Sequence, residues 1–222
     1  MTIEARSGRR GPHDAWDCCA LTNGAETRWQ LRLIHEGLPE YPYSYHVNTS
    51  LWFATQGGTI ATYHFVEIGA WDGDWEGTGL YTGFYTIRGT GNSNYAEAKL
   101  TTPYTLGDVA TFDVTYQYSD TVRAQVVDET TGYIGYKLWG SAGGPYGEWQ
   151  VGEEWGCPSS ATISGTHAHY NYYRRATDGV WIHPESGSKE TAPPNSNVGN
   201  LKWCVKPRTF DFWINASDPN CT

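Results

Sequence analysis

The chain has 222 residues, a net charge of −9 and only 18% charged residues, against 26 Gly, 16 Tyr and 11 Trp. This is enough chain for one large domain with its own core, and the aromatic content excludes a disordered segment. An acidic balance with only short basic stretches, at residues 6–10 and at Arg174–Arg175, excludes a nucleic-acid partner, and no apolar run approaches the ~20 residues of a membrane-spanning helix.

Residues 1–15 are polar, rich in Arg and Gly, and read as an arm, flexible or bound to a partner, ahead of a single domain over residues 16–222. In TRWQLRLIHEGL (27–38), Trp29, Leu31 and Leu33 alternate, which favours a strand over a short helix. A proline loop then leads into the strand YSYHVNTSLWF, and Gly57–Gly58 opens the strongest strand pattern, ending in YHFVEIGAW (63–71). DGDWEGTG is a turn cluster, and LYTGFYTIRG and NYAEAKLTT are strands. VATFDVTYQY alternates cleanly, with Val109, Thr111, Asp113 and Thr115 on one side and Ala110, Phe112, Val114 and Tyr116 on the other. Two strands flank a turn at 128–132, and GEWQVGEEW (147–155), ATISGTHAHYNYYR and DGVWIHP follow as strands. Residues 185–200 read as a long loop, and LKWCVKP and TFDFWINA close the chain. Short strands separated by Gly, Asn and Asp turns predict an all-β fold, an antiparallel β-sandwich or jelly roll.

The five cysteines, Cys18, Cys19, Cys157, Cys204 and Cys221, show no zinc-ligand spacing. Their placement predicts a disulfide between Cys18 or Cys19 and Cys221, and a second between Cys157 and Cys204. Sequons stand at Asn48, Asn215 and Asn220. Cysteines and sequons together predict a secreted or cell-surface glycoprotein.

Candidate chemistry centres on Glu67. On a strand, Tyr63, Phe65 and Glu67 face one way and His64, Val66 and Ile68 the other. With Val66 and Ile68 in the core, Glu67 lies in an aromatic groove with Trp71 nearby, where partial desolvation suits a carboxylate to acid–base work or to binding sugar. The alternative is a structural carboxylate held by a neighbouring strand. GEWQVGEEW is dense in acids. Glu148, Gln150 and Glu154 share one face, and Glu153 falls with Trp149 and Val151 unless Gly152 introduces a bulge. Its alternative is an edge strand defended by charge. His167 and His169 read as surface or groove histidines, without a third ligand for a metal. No P-loop, dinucleotide fingerprint or nucleophile elbow occurs, and no cofactor is expected.

The segments SLWFA, FVEIGAWDG, YTLGDVATFDV, VVDETTGY and GEWQVGEE, in that order over about residues 50–175, resemble the β-sandwich glutamic peptidases of the eqolisin and neprosin families. The resemblance implies a concanavalin-like sandwich and an acid-acting peptidase. It places the first catalytic member at Glu67 and the second at Gly152 or Glu153, with Glu153 the expected partner and Glu148 and Glu154 open. One carboxylate would take a proton from the attacking water and the other would donate to the developing oxyanion, so two close carboxylates would share their charge. Two other readings compete. One is a lectin-like module that stacks sugars on Tyr and Trp, so that the substrate or ligand is either a polypeptide or a polysaccharide. The other is a structural surface or filament protein that self-associates through its N-terminal arm by strand addition.

Overall fold

The computed structural model describes residues 13–31, 46–55, 64–75, 80–90, 94–100, 103–140, 147–155, 167–183, 188–192, 204–206 and 209–211. Among these the regular elements are all strands: β1 (His13–Gln30), β2 (His46–Thr55), β3 (His64–Asp74), β4 (Leu80–Thr90), β5 (Asn94–Leu100), β6 (Val109–Tyr118) and β7 (Thr121–Asp128). There follow β8 (Tyr133–Trp139), β9 (Gly147–Trp155), β10 (His167–Arg175), β11 (Trp181–Ile182), β12 (Ser188–Ala192), β13 (Cys204–Lys206) and β14 (Thr209–Asp211). No helix among the described residues is long and apolar enough to cross a membrane.

Strands β1–β12 are hydrogen-bonded into two antiparallel sheets continuous through β1, and β13 and β14 pair separately as a two-stranded sheet. The first half of β1 pairs with β9 and β12 and completes the order β5-β4-β3-β2-β9-β1. Its second half pairs with β6 and β10, and carries the order on through β6-β7-β8. A strand of 18 residues is long enough to serve both sheets, and its register shifts near Thr22 mark where it passes from one to the other. Strands β2 and β3 pack on β6 and β7. The sheet containing β3 is called here the first sheet and that containing β6 the second.

Alternation dictates what lies between them. Leu51, Phe53, Val66, Ile68, Ala70 and Phe84 of the first sheet meet Ala25, Trp29, Phe112, Val114, Ala124 and Val126 of the second in one buried cluster. The turns follow the local chemistry. At the β7–β8 turn the Asp128 carboxylate accepts from the Thr130 and Thr131 main-chain N–H groups, at 2.9 and 3.2 Å, and from the Thr131 hydroxyl at 2.7 Å. Gly132 closes that turn with φ at 77°. Ahead of β6, the Asp108 carboxylate accepts from the Thr105 N–H at 2.6 Å.

Two expectations change. Residues 185–200 are not wholly loop, because Ser188–Ala192 forms β12 against Asp17–His13 of β1. Its sequence, SKETA, has no apolar alternation to announce a strand; the pairing edge of β1 supplies the order. The chain entering the domain is ordered as strand from His13, three residues into the expected arm, and residues 1–12 lie outside the described residues. Thr27–Gln30 is strand, as alternation favoured.

Candidate functional site

Glu67 sits in the middle of β3, with β2 on one side and β4 on the other. Its neighbours Val66 and Ile68 are fully buried in the inter-sheet core, so Glu67 faces the outer side of the first sheet. It is nevertheless only 4% exposed. A second apolar cluster on that outer face explains this: Phe65, Trp71, Trp75, Tyr85 and Ile87, with Tyr81 against them. Trp71 lies edge-on to Trp75 and to Tyr85, with ring centroids 5.0 and 5.4 Å apart, and Trp75 meets Tyr81 in the same way at 5.3 Å. The Lys99 ammonium caps the cluster 4.7 Å from the Tyr81 ring centroid. Gly89, directly across from Phe65, leaves room for its ring; a Cβ there would stand 2.2 Å from the Phe65 ring.

Glu67 is held on both faces of the sheet, by its carboxylate on one and its main chain on the other. The Tyr85 hydroxyl donates to Glu67 Oε1. Beneath it, the Thr86 hydroxyl donates to the Glu67 main-chain carbonyl at 2.7 Å, and the Trp139 indole N–H, from the second sheet, donates to Thr86 Oγ1 at 3.0 Å. The position of Glu67 is therefore tied to the packing of the two sheets.

Strand register places the other candidates. Residues paired directly across antiparallel strands share a face. Glu67 pairs with Trp52, and Trp52 with Gln150, so position 150 stands in the row of Glu67 two strands away, roughly 10 Å between main chains. Asp17 of β1 extends the same row. Position 148 falls in the row of Phe65, and position 154 in the row of Asn48 and Trp71. Glu153 pairs with Thr49, which pairs with Ala70, a core residue. The β2–β9 ladder runs unbroken through Gly152, so the bulge that would have turned position 153 to the face of Glu67 does not occur. Phe65 and Trp71 lie on the face of Glu67 in the buried aromatic cluster; Tyr63 lies outside the described residues. His167 and His169 are on β10, paired with Gln30 and Arg28 of β1 and remote from this row. The cysteine pairings and the sequons Asn215 and Asn220 lie outside the described residues, while Asn48 is a β2 position between β3 and β9.

Tyr85, Trp75 and Tyr81 escaped the sequence reading. Trp75 sits in a turn cluster, and Tyr81 and Tyr85 belong to a strand whose partner the sequence does not name. The available signal was the alternation Tyr81, Gly83, Tyr85, Ile87, which becomes informative once β4 is paired with β3.

A pair of carboxylates occupies the outer face of the second sheet. Glu26 and Asp113 are directly opposite each other on β1 and β6. Burial, followed by the charges of Asp113 and Glu129, raises the Glu26 pKa; burial also raises that of Asp113, despite hydrogen bonds from Thr115 at 2.7 Å and Arg123 at 3.1 Å.

No family model matches the sequence, and no curated protein matches it. Solved structures do. Scytalido-glutamic peptidase bound to a transition-state analogue superposes with a TM-score of 0.63 at 15% identity, covering 92% of this chain and 98% of that one. The same peptidase with a peptide-based transition-state analogue gives 0.62 at 11% identity, with the same coverage. SCP-B, a member of the eqolisin family in complex with the tripeptide Ala-Ile-His, gives 0.58 at 11% identity, again over 92% and 98%. The chain has the β-sandwich fold of these glutamic peptidases.

Proposed function

We propose that the protein is a secreted, acid-acting peptidase of the glutamic type, centred on Glu67 with Gln150 as its partner. The observation that carries this reading is the placement of Glu67: a carboxylate buried among aromatics on an outer sheet face, held by Tyr85, in register with position 150. The fold it shares with peptidases captured on transition-state analogues supports the reaction class, and the sequons and cysteine placement support secretion.

The register favours Gln150 over Glu153 as the partner, because position 150 shares the row of Glu67 and position 153 does not. The chemistry is then divided between an acid and an amide. Glu67 takes a proton from water as the water oxygen bonds to the peptide carbonyl carbon, and the carbonyl electron pair moves onto its oxygen. The Gln150 side-chain amide donates to that oxyanion. Collapse of the tetrahedral intermediate breaks the C–N bond, and Glu67 returns its proton to the departing nitrogen. Tyr85 keeps the carboxylate oriented through both steps.

The test is hydrolysis of a denatured protein between pH ~3 and 7. Wild-type protein is expected to cleave on the acid side, Glu67→Gln to be inactive at equal stability, and Gln150→Ala to lose most of its kcat. An inactive wild type, or full activity in Glu67→Gln, overturns the reading and returns the protein to the binding or structural classes.

A further inference from the structure

Next to Glu67 lies a polar group the mechanism above does not use. Ser50, on β2, is fully buried, and its hydroxyl has no hydrogen-bond partner. A buried hydroxyl without a partner is costly, and native structures retain one where a water or a ligand completes it.

Its neighbours suggest what completes it. Ser50 pairs directly with Gly69 on β3 and with Gly152 on β9. Both flanking positions are glycine, so no Cβ stands beside Ser50 on either neighbouring strand. Tyr85 stands in the same row on the far side of Gly69. Glu67 is one step along β3 from that row, diagonal to both Tyr85 and Ser50. Diagonal neighbours on one face have Cβ atoms roughly 7 Å apart, which is too far for a serine and a carboxylate to meet and suits one intervening water. Tyr85 already reaches the carboxylate from one diagonal; Ser50 faces it from the other.

We propose that Ser50 is a positioning residue that, with Glu67, holds the water molecule that attacks the substrate. This rests on the peptidase reading above. The Ser50 O–H donates to one lone pair of the water, the water donates one O–H to the Glu67 carboxylate, and the second lone pair stays free for the peptide carbonyl carbon. Gly69 and Gly152 supply the space. Ser50 itself forms and breaks no covalent bond.

The experiment combines kinetics with crystallography on the full chain. Ser50→Ala is expected to lower kcat about 10- to 100-fold with KM unchanged, the range associated with a mispositioned reactant. Its melting temperature should match or exceed that of wild type, and Ser50→Thr, which keeps the hydroxyl, should recover much of kcat. A crystal structure of the wild type should show a water within hydrogen-bond distance of both Ser50 Oγ and the Glu67 carboxylate, and that of Ser50→Ala should lack it. If wild type cleaves and Glu67→Gln does not, while Ser50→Ala keeps wild-type kcat or the water is missing from the wild-type crystal, the role of Ser50 falls and the peptidase reading stands. If wild type cleaves nothing, both fall together.

Discussion

The two outer faces of this sandwich are built from the same alternating strands and treat carboxylates in opposite ways. On the first sheet Glu67 is enclosed by Trp71, Trp75 and Tyr85 and held by a tyrosine hydroxyl. On the second sheet two carboxylates, the half-buried Glu26 and the buried Asp113, stand opposite each other among Arg123, Arg28 and Glu129, with Ile134, Tyr136 and Leu138 exposed on the last strand. The difference lies in what covers the face. Aromatic side chains packed edge-on remove water from Glu67, and a buried carboxylate in a fixed orientation suits proton transfer. The second face also desolvates its two carboxylates, but meets Asp113 with Arg123 and the Thr115 hydroxyl instead of with rings. The kind of neighbour around a buried acid, aromatic on one face and charged on the other, separates a candidate reactive site from a structural one.

The largest break in this comparison is Glu67→Gln, expected to reduce hydrolysis by about 10²- to 10⁴-fold while leaving the melting temperature near wild type, measured by progress curves on a denatured substrate and by thermal unfolding. The same change at the other face, Glu26→Gln, should leave kcat untouched.

Next in size is the contrast between an enclosed and an open aromatic. Trp71→Ala should destabilise by about 3–5 kcal/mol, as for truncation of a fully buried ring, whereas Tyr136→Ala, 61% exposed, should stay within about 0.5 kcal/mol. Chemical denaturation of both variants measures this. Equal losses would mean that the second face is also covered.

The pH dependence of stability sharpens the comparison further. Because the folded pKa of Glu26 is raised, the folded state holds that proton more tightly than the unfolded state. Its contribution is complete below the unfolded value of about 4.3 and is lost as pH rises through the raised folded value. Glu26→Gln should therefore flatten the fall in melting temperature on the neutral side of pH 4. Glu129 runs the other way: hydrogen bonding by Arg28, chiefly, lowers its pKa, so its contribution is present above about 4.3 and is lost as pH falls through the folded value. Melting curves from pH ~3 to 7 that showed the same slope in Glu26→Gln and wild type would refute the assignment.

The smallest effect belongs to the Arg28–Glu129 pair, bidentate at 2.7–3.0 Å but with both side chains more than a third exposed. Glu129→Gln should cost at most about 1 kcal/mol near neutrality and nothing measurable in strong acid, as monitored by denaturant titration in parallel with Glu26→Gln.

Much of the fold was legible along the chain because strand alternation and turn chemistry are local. VATFDVTYQY divides its faces as its sequence says, with Phe112 and Val114 buried in the core and Thr111 and Asp113 turned outward. VVDETTGY and YTLGD proved to be turns organised by Asp128 and Asp108, so the segments that carry the family resemblance there are structural punctuation rather than site residues. The face of Glu67 was legible for the same reason: Val66 and Ile68 claim the core, and period 2 does the rest.

What the sequence determined by itself was thus the class of fold, most of the strands and the side of its strand on which each residue lies, all set within a few residues by the pleat. Only the tertiary structure decided which strands became neighbours and in what register. β9 comes to lie two strands from β3 because β2 accepts both, and that unbroken ladder brings position 150 into the row of Glu67 and leaves 153 on the opposite face. Tyr85 reaches Glu67, and Trp139 braces it from the second sheet, through contacts between segments distant in the chain. Such pairings are chosen by the fit of whole faces across the sandwich, a non-local free energy that no short stretch of residues contains.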